Sequence, residues 1–275
     1  MFRGGLQRSR DRRRGTDQAS SRGEHHGEQG RYEARHVRGP PQARAEAAFP
    51  VISVDVIVPA YNPGGLLSEA LDSIQAQTYP PARVIVVDDG STDGAVAGAV
   101  AGRPNITVIR QRNGGVSVSR NTGVAASRAD AILIVDHDDL LVPNSIASLV
   151  HAMESDPQVR MCHGLVQEFV DSRGGLPEGV RVTERTLPAR LSGCTLVRRA
   201  LWDRVGGCVP GMTQGEWIDW IDRAMMLSPK VAVVDEVILR RRIHANNFTR
   251  ATAGKVQYLD VARAALARKR GGTPS

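Results

Sequence analysis

From Val51 onward, short apolar runs alternate with segments of helical period, and each of the first four runs stops in a polar or Gly-rich cluster. This alternation narrows the available folds more than any other feature of the chain. Ser53 to Val58 reads as a strand closed by Pro59, and Leu66, Leu67, Ala70, Leu71 and Ile74 recur at helical spacing behind Asn62-Pro63-Gly64-Gly65. Val84 to Val87 is a continuous apolar run, as in a strand covered on both faces. A weak Ala/Gly helix follows Thr92-Asp93, a third strand spans Ile106 to Ile109, and Gly114-Gly115 opens a helix from Val116 to Ala126. Ala131 to Val135 is a fourth strand, with a helix over Pro143 to Met153. The pattern predicts an α/β fold: a doubly wound, mostly parallel sheet whose right-handed crossovers place helices on both faces.

The second half is less regular. One or two strands are expected over Val159 to Val170, helices over Leu196 to Val205 and Gly215 to Met226, and a strand over Val231 to Leu239. Gln257 to Arg270 reads as a basic amphipathic helix with Leu259, Ala262 and Leu266 on one side, suited to docking on the domain or to peripheral membrane contact. Residues 1 to 48 are a different material, rich in Arg, Gly, Gln, Ser and Glu and poor in Ile, Val and Leu. Such a segment cannot bury enough apolar area to offset its ordering entropy, so it reads as a disordered tail. The organisation expected is therefore tail (1–48), α/β domain (49–250) and C-terminal helix with a short end (251–275).

Charge and cysteine content exclude several classes. Met1 to Pro50 holds 11 Arg, no Lys and 6 acids, hence +5 of the formal net charge of +7, so the basic character belongs mainly to the tail. Aromatics at 4% are too sparse for a stacking platform on single-stranded nucleic acid. The three cysteines, Cys162, Cys194 and Cys208, form no CxxC pair, which excludes a disulfide framework and a structural zinc knuckle. No apolar run approaches the roughly 20 residues that span a bilayer, and no signal core is present near Met1. A reduced, cytoplasmic location is expected, with the inner membrane surface as a second possibility.

In a parallel sheet the strand ends share one edge, where open α/β folds bind ligands. The clusters brought there are Pro59-Ala60-Tyr61-Asn62, Asp88-Asp89-Gly90-Ser91, Arg110 to Gly115, and Asp136-His137-Asp138-Asp139. Asp136, Asp138 and Asp139 repel one another unless a cation neutralises them, and hard oxygens without thiolate suit Mg²⁺ or Mn²⁺ shared with a substrate phosphate. The same aspartates also suit turns and helix starts. Asp89 can accept from the donors of a base, Tyr61 offers a flat face for stacking, and Arg120 can meet a diphosphate. A turn aspartate, a half-buried tyrosine and a surface arginine are the structural alternatives. Neither GxxxxGK[ST] nor GxGxxG after the first strand is present, which disfavours P-loop and NAD-type sites.

VDVIVPAYN (Val54 to Asn62), VIVVDDGSTDG (Val84 to Gly94), GGVSVSRNTG (Gly114 to Gly123) and ILIVDHDDLLVP (Ile132 to Pro143) resemble family 2 glycosyltransferases of the GT-A fold, in the family's order and spacing. The resemblance implies an inverting transferase of the hexosyltransferase class that moves a sugar from a nucleoside-diphosphate sugar to an acceptor hydroxyl. It implies that Pro59 and Tyr61 frame the nucleotide base, that Asp89 accepts from it, and that Asp136 and Asp138 form the DXD element holding metal and diphosphate. The family's general base comes from a Glu-Asp pair at a late helix start. Here the aspartate slot holds Trp217, leaving Glu216 and Asp219 as candidates. Trp217 and Trp220 either stack on an acceptor or belong to the core, and the Ser192-Gly193 loop faces the acceptor by analogy. Arg240 to Asn247 resembles the family's closing Arg/His/Asn element, in which His244 touches the metal or diphosphate, or is structural.

The acceptor class stays open among a glycan, a lipid-linked sugar, a peptide and a small molecule. The alternatives are a nucleotidyltransferase-like enzyme on a similar fold, a nucleic-acid binder acting through the Arg-rich tail, and a transferase relic that binds donor without turnover. Sparse aromatics make nucleic acid the weakest of these partners.

Overall fold

The computed structural model describes residues 35–37, 52–171, 186–212, 214–244 and 255–269. The chain divides into Met1–Glu33, which lies outside the described residues, and a compact unit from Ala34 to Ser275. The unit is built on one sheet ordered β1(Arg35–Val37), β10(Lys230–Ile243), β7(Val159–Val170), β9(Thr195–Arg198), β5(Ala131–Ile134), β2(Val54–Ala60), β3(Arg83–Asp88) and β4(Ile106–Arg110). Two short strands join from the side, β6(Leu140–Leu141) on β10 and β8(Leu187–Pro188) on β7. The β2–β3, β3–β4, β2–β5, β7–β10 and β1–β10 pairs are parallel, while β9 runs antiparallel to both β5 and β7.

Both faces are covered, as the apolar strands require. Val54, Val56, Val58, Val84 and Val86 point into a core closed by α1(Leu66–Gln75), α2(Ala95–Val100) and α4(Ser145–Glu154). Ile57, Ile132, Ile134 and Met161 face the other way, onto α3(Val116–Ala126), α5(Arg199–Val205) and α6(Glu216–Met226). This second core contains all three tryptophans. Trp220 stacks between Trp202 and Trp217 with centroids 5.0 Å apart on each side, so Trp217 and Trp220 are core residues and not an acceptor platform.

Helix α3 lies close against the sheet because Gly123 has no side chain: a Cβ there would run into Ile57 Cγ2. We expect Gly123→Ala to lower the stability of the chain by about 1–3 kcal/mol, the range of an overpacked core, read as a fall in the urea midpoint.

Several expectations are corrected. Leu196 to Val205 is not one helix: Thr195–Arg198 is a strand and only Arg199–Val205 is helical. Thr195, Leu196 and Val197 are buried, slotted between β5 and β7, and tertiary pairing overrides local propensity there. The last helix, α7(Lys255–Lys269), turns a different side inward from the one expected. Val261 is buried, whereas Ala262 and Leu266 are exposed, because Arg268 binds Asp219 and Asp222 on α6 and fixes the rotation of the helix. The expected tail lies outside the described residues except for Arg35–Val37, which pair with Ala232 to Val234. A sheet edge offers unpaired N–H and C=O groups to any extended segment within reach, which composition does not reveal.

His163 on β7 is buried, and its Nε2 lies 3.5 Å from Arg190 Nε. Burial, reinforced by the Arg190 charge, pushes the imidazole down to about 4. The unfolded chain takes up this proton near pH ~6.5 and the native one only near 4. The contribution of the neutral ring is therefore complete above ~6.5 and lost as the pH falls toward 4. Between pH 7 and 4.5 the wild-type chain should lose stability more steeply than His163→Gln, by roughly 2 kcal/mol in urea titrations.

Candidate active site

The C-terminal ends of β2, β3 and β5, with the loop after β4, meet at one edge of the sheet, and there the loops brace one another. Asn62, in the left-handed region at φ 45°, donates its main-chain N–H to Ser91 Oγ at 3.0 Å, and its Oδ1 accepts from Thr92 N at 2.8 Å. Gly64 N donates to Asp93 Oδ2 at 3.1 Å. Gly90 has φ +81°, and a Cβ would lie 3.0 Å from Asn113 N, so only glycine lets the loops after β3 and β4 approach this closely. Tyr61 is half exposed at the rim, and Pro59 O accepts from His137 Nδ1 at 3.3 Å.

Asp89 is placed differently from the expectation. It is 3% exposed; its Oδ1 accepts from Gln111 Nε2 (2.7 Å) and Gly114 N (2.8 Å), and its Oδ2 from Gly115 N (2.8 Å). The carboxylate holds the Gly114-Gly115 turn that opens α3, and most of its accepting capacity is spent on that task. The neighbouring Asp88 caps its own loop through Ser91 N at 2.8 Å.

Arg120 is likewise not at the surface. It is 3% exposed, donating through Nη2 to Asp136 Oδ1 (2.9 Å) and Ser192 Oγ (3.3 Å), and through Nη1 to Glu216 Oε1 (2.5 Å). Burial disfavours the charge, but the Asp136 and Glu216 carboxylates more than offset it and raise the guanidinium above its ordinary value. In this arrangement Arg120 engages two carboxylates and the Ser192 hydroxyl. One cation thus ties the strand end at Asp136 to the α6 start at Glu216, residues far apart in sequence. Gly215, left-handed at φ 77°, sets the direction in which α6 begins.

Asp138 lies beside His244, with Oδ2 and Nε2 3.0 Å apart. Burial works to raise the Asp138 carboxyl, and the His244 hydrogen bond with the His137 and His244 charges outweighs it, so the group stays below its usual range. Asp139 is the reverse: burial first, then Asp138 and Asp136, push it well above the carboxylate range, and its Oδ1 accepts from Arg242 N. Asp219, the other candidate base, is 3% exposed and held by Arg223 (2.8 Å) and Arg268 (3.0 Å). It is drawn into an ion-pair cluster with Arg223 and, on α7, Arg268. Among the described residues no group of three or more His, Cys, Asp or Glu side chains is arranged to hold a metal ion by itself. The carboxylates of Asp136 and Asp138 are nevertheless hard oxygen donors of the kind that Mg²⁺ or Mn²⁺ accepts, while His244 Nε2 is engaged with Asp138.

The sequence reading did not single out Ser91, Asn62 or Gln111 as braces, nor Arg242 apart from its neighbours. Only the run Arg240-Arg241-Arg242 signalled the last, without saying which arginine turns inward.

The model of glycosyl transferase family 2 matches residues 55–205, more than half of the chain. The chain belongs to glycosyl transferase family 2. Over 105 residues it is 37% identical to the glycosyltransferase GlyG of Streptococcus pneumoniae, a match covering 37% of this chain and 35% of that protein. The chain spans about a third or less of the length of the first curated relatives it matches. Its fold is that of the Staphylococcus aureus TarS fragment crystallised with UDP-GlcNAc (TM-score 0.65, 20% identity, 82% of this chain and 68% of that one). The mannosyltransferase PcManGT of Pyrobaculum calidifontis, crystallised with GDP-Man and Mn²⁺, is similar too (TM-score 0.59, 20% identity, 86% and 69%). The GT-A architecture expected from the motifs is the one observed. No helix among the described residues is long and apolar enough to cross a membrane.

Proposed function

We propose that the chain transfers a sugar from a nucleoside-diphosphate sugar to an acceptor hydroxyl, with inversion at the anomeric carbon. The observation carrying this reading is the Arg120 bridge, which sets an acidic strand end and a second carboxylate on one buried cation at the ligand-binding edge of the sheet. TarS with UDP-GlcNAc and PcManGT with GDP-Man support a sugar-nucleotide donor, and the Mn²⁺ of the latter supports a divalent ion.

In this reading Tyr61 and the backbone at Pro59 frame the base, while Asp136 and Asp138, with His244 beside them, hold Mg²⁺ or Mn²⁺ and the diphosphate. A bound divalent ion would neutralise the charge that builds on the leaving diphosphate. Glu216 takes the proton from the acceptor hydroxyl as its oxygen attacks the anomeric carbon, and the bond to the diphosphate oxygen breaks with its electron pair. Arg120 holds Glu216 in place relative to Asp136. Glu216 is favoured over Asp219 because the latter already pairs with two arginines.

A thermal-shift screen of UDP, GDP and TDP, each with Mn²⁺ and with EDTA, tests the donor reading. A diphosphate at about 100 times its dissociation constant stabilises by roughly 2.7 kcal/mol. The reading fails if none stabilises the chain more in Mn²⁺ than in EDTA.

A further inference from the structure

Arg242, near the end of β10, is 3% exposed, while Arg240 two residues earlier is open to solvent. Its Nε donates to the main-chain oxygen of Asp138 at 2.8 Å, and its own main-chain N to Asp139 Oδ1 at 2.9 Å. Nη1 reaches Asp171 Oδ2 at 2.9 Å, at the end of β7, and Nη2 reaches Glu69 Oε2 at 2.7 Å, on α1. The guanidinium also lies 4.9 Å from the Phe169 ring centroid. Two of these bonds grip the acidic turn between β5 and β6, and two anchor the grip to other elements. Two residues on, His244 meets Asp138 Oδ2.

A buried guanidinium with acidic partners is weak evidence of stabilisation, since an apolar replacement often serves stability as well or better. Its place behind the Asp138 carbonyl is better explained by geometry. We infer that Arg242 is a positioning residue that fixes the orientation at which Asp138, hydrogen-bonded to His244, meets the divalent cation and the donor diphosphate. A planar fork is needed, because a lysine ammonium is a point charge that cannot hold a carbonyl and two carboxylates in fixed directions. The inference rests on the proposed role of Asp136 and Asp138 as metal-binding carboxylates.

The test titrates Mn²⁺ into the full chain and into Arg242→Lys, with whichever of UDP, GDP or TDP binds the wild-type chain in a metal-dependent way. Electron paramagnetic resonance reads the free ion. Partners behind metal ligands are typically worth 10- to 100-fold in metal affinity, so the variant should bind Mn²⁺ at least about tenfold more weakly. Its affinity for the diphosphate in EDTA, and its circular dichroism, should match wild type. Equal Mn²⁺ affinity in the folded variant overturns the positioning role and leaves the metal reading intact. Absence of Mn²⁺-dependent binding in the wild-type chain overturns both. Should Arg242→Lys not fold, Glu69→Gln keeps the guanidinium and slackens one anchor; about threefold weaker Mn²⁺ binding is then expected, and unchanged affinity overturns the inference.

Discussion

Glu216→Gln should lower the rate of sugar transfer by about 10²- to 10⁴-fold, the usual contribution of a positioned general base, while the donor binds within a few-fold of wild type. Glutamine preserves the shape of the side chain and its accepting oxygen toward Arg120, but it cannot take the acceptor proton. Single-turnover release of nucleoside diphosphate, measured beside donor binding, separates the two effects. Asp219→Asn should behave oppositely. Asp219 is buried between Arg223 and Arg268, so the variant should lose about 1–3 kcal/mol of stability with the chemical step nearly intact. Loss of transfer in Asp219→Asn with full transfer in Glu216→Gln would move the base to Asp219. Full transfer in both would remove either from the role. Wild-type donor binding without turnover on any acceptor would favour a relic, the reading that Trp217 in the usual aspartate slot first raised.

Strands β2, β3 and β5 were readable because they are buried on both faces and largely apolar, as Val84 to Val87 are. Their polar ends were readable for the same reason: a chain leaving a buried strand turns at the solvent edge, and Asp136 to Asp139 could belong nowhere else. β9 was not readable. Leu196 to Val205 carries no break between strand and helix, and the partners that make Thr195–Arg198 a strand come from distant segments. The site was legible in residue type but not in orientation. Sequence placed Asp89 and Arg120 at the correct edge, yet could not say that Asp89 faces the Gly114-Gly115 turn, or that Arg120, one arginine in an Arg-rich chain, is the buried one. Nor could periodicity settle the rotation of α7, which two ionic contacts to α6 decide.

The second large effect concerns the cation. Replacing Asp136 and Asp138 together by alanine should weaken Mn²⁺-dependent binding of the donor diphosphate by about 100-fold or more, leaving metal-free binding unchanged, as isothermal calorimetry in Mn²⁺ and in EDTA can read. Asp138 should account for the larger share. Its carboxyl is held below the ordinary range, so at neutral pH it offers a divalent ion an anionic oxygen ligand. Asp136 already has a cation in contact, since Arg120 occupies its Oδ1, and has less to gain. The single variants should therefore be unequal, with Asp138→Asn weaker than Asp136→Asn. Asp136→Asn should also disturb the catalytic step, because it takes from Arg120 one of the carboxylates that fix its position beside Glu216. Identical diphosphate affinity in Mn²⁺ and EDTA for the wild-type chain, or a double variant that keeps the difference, would place the acidic turn outside the chemistry and leave its charge to structural duties such as the Arg242 contacts.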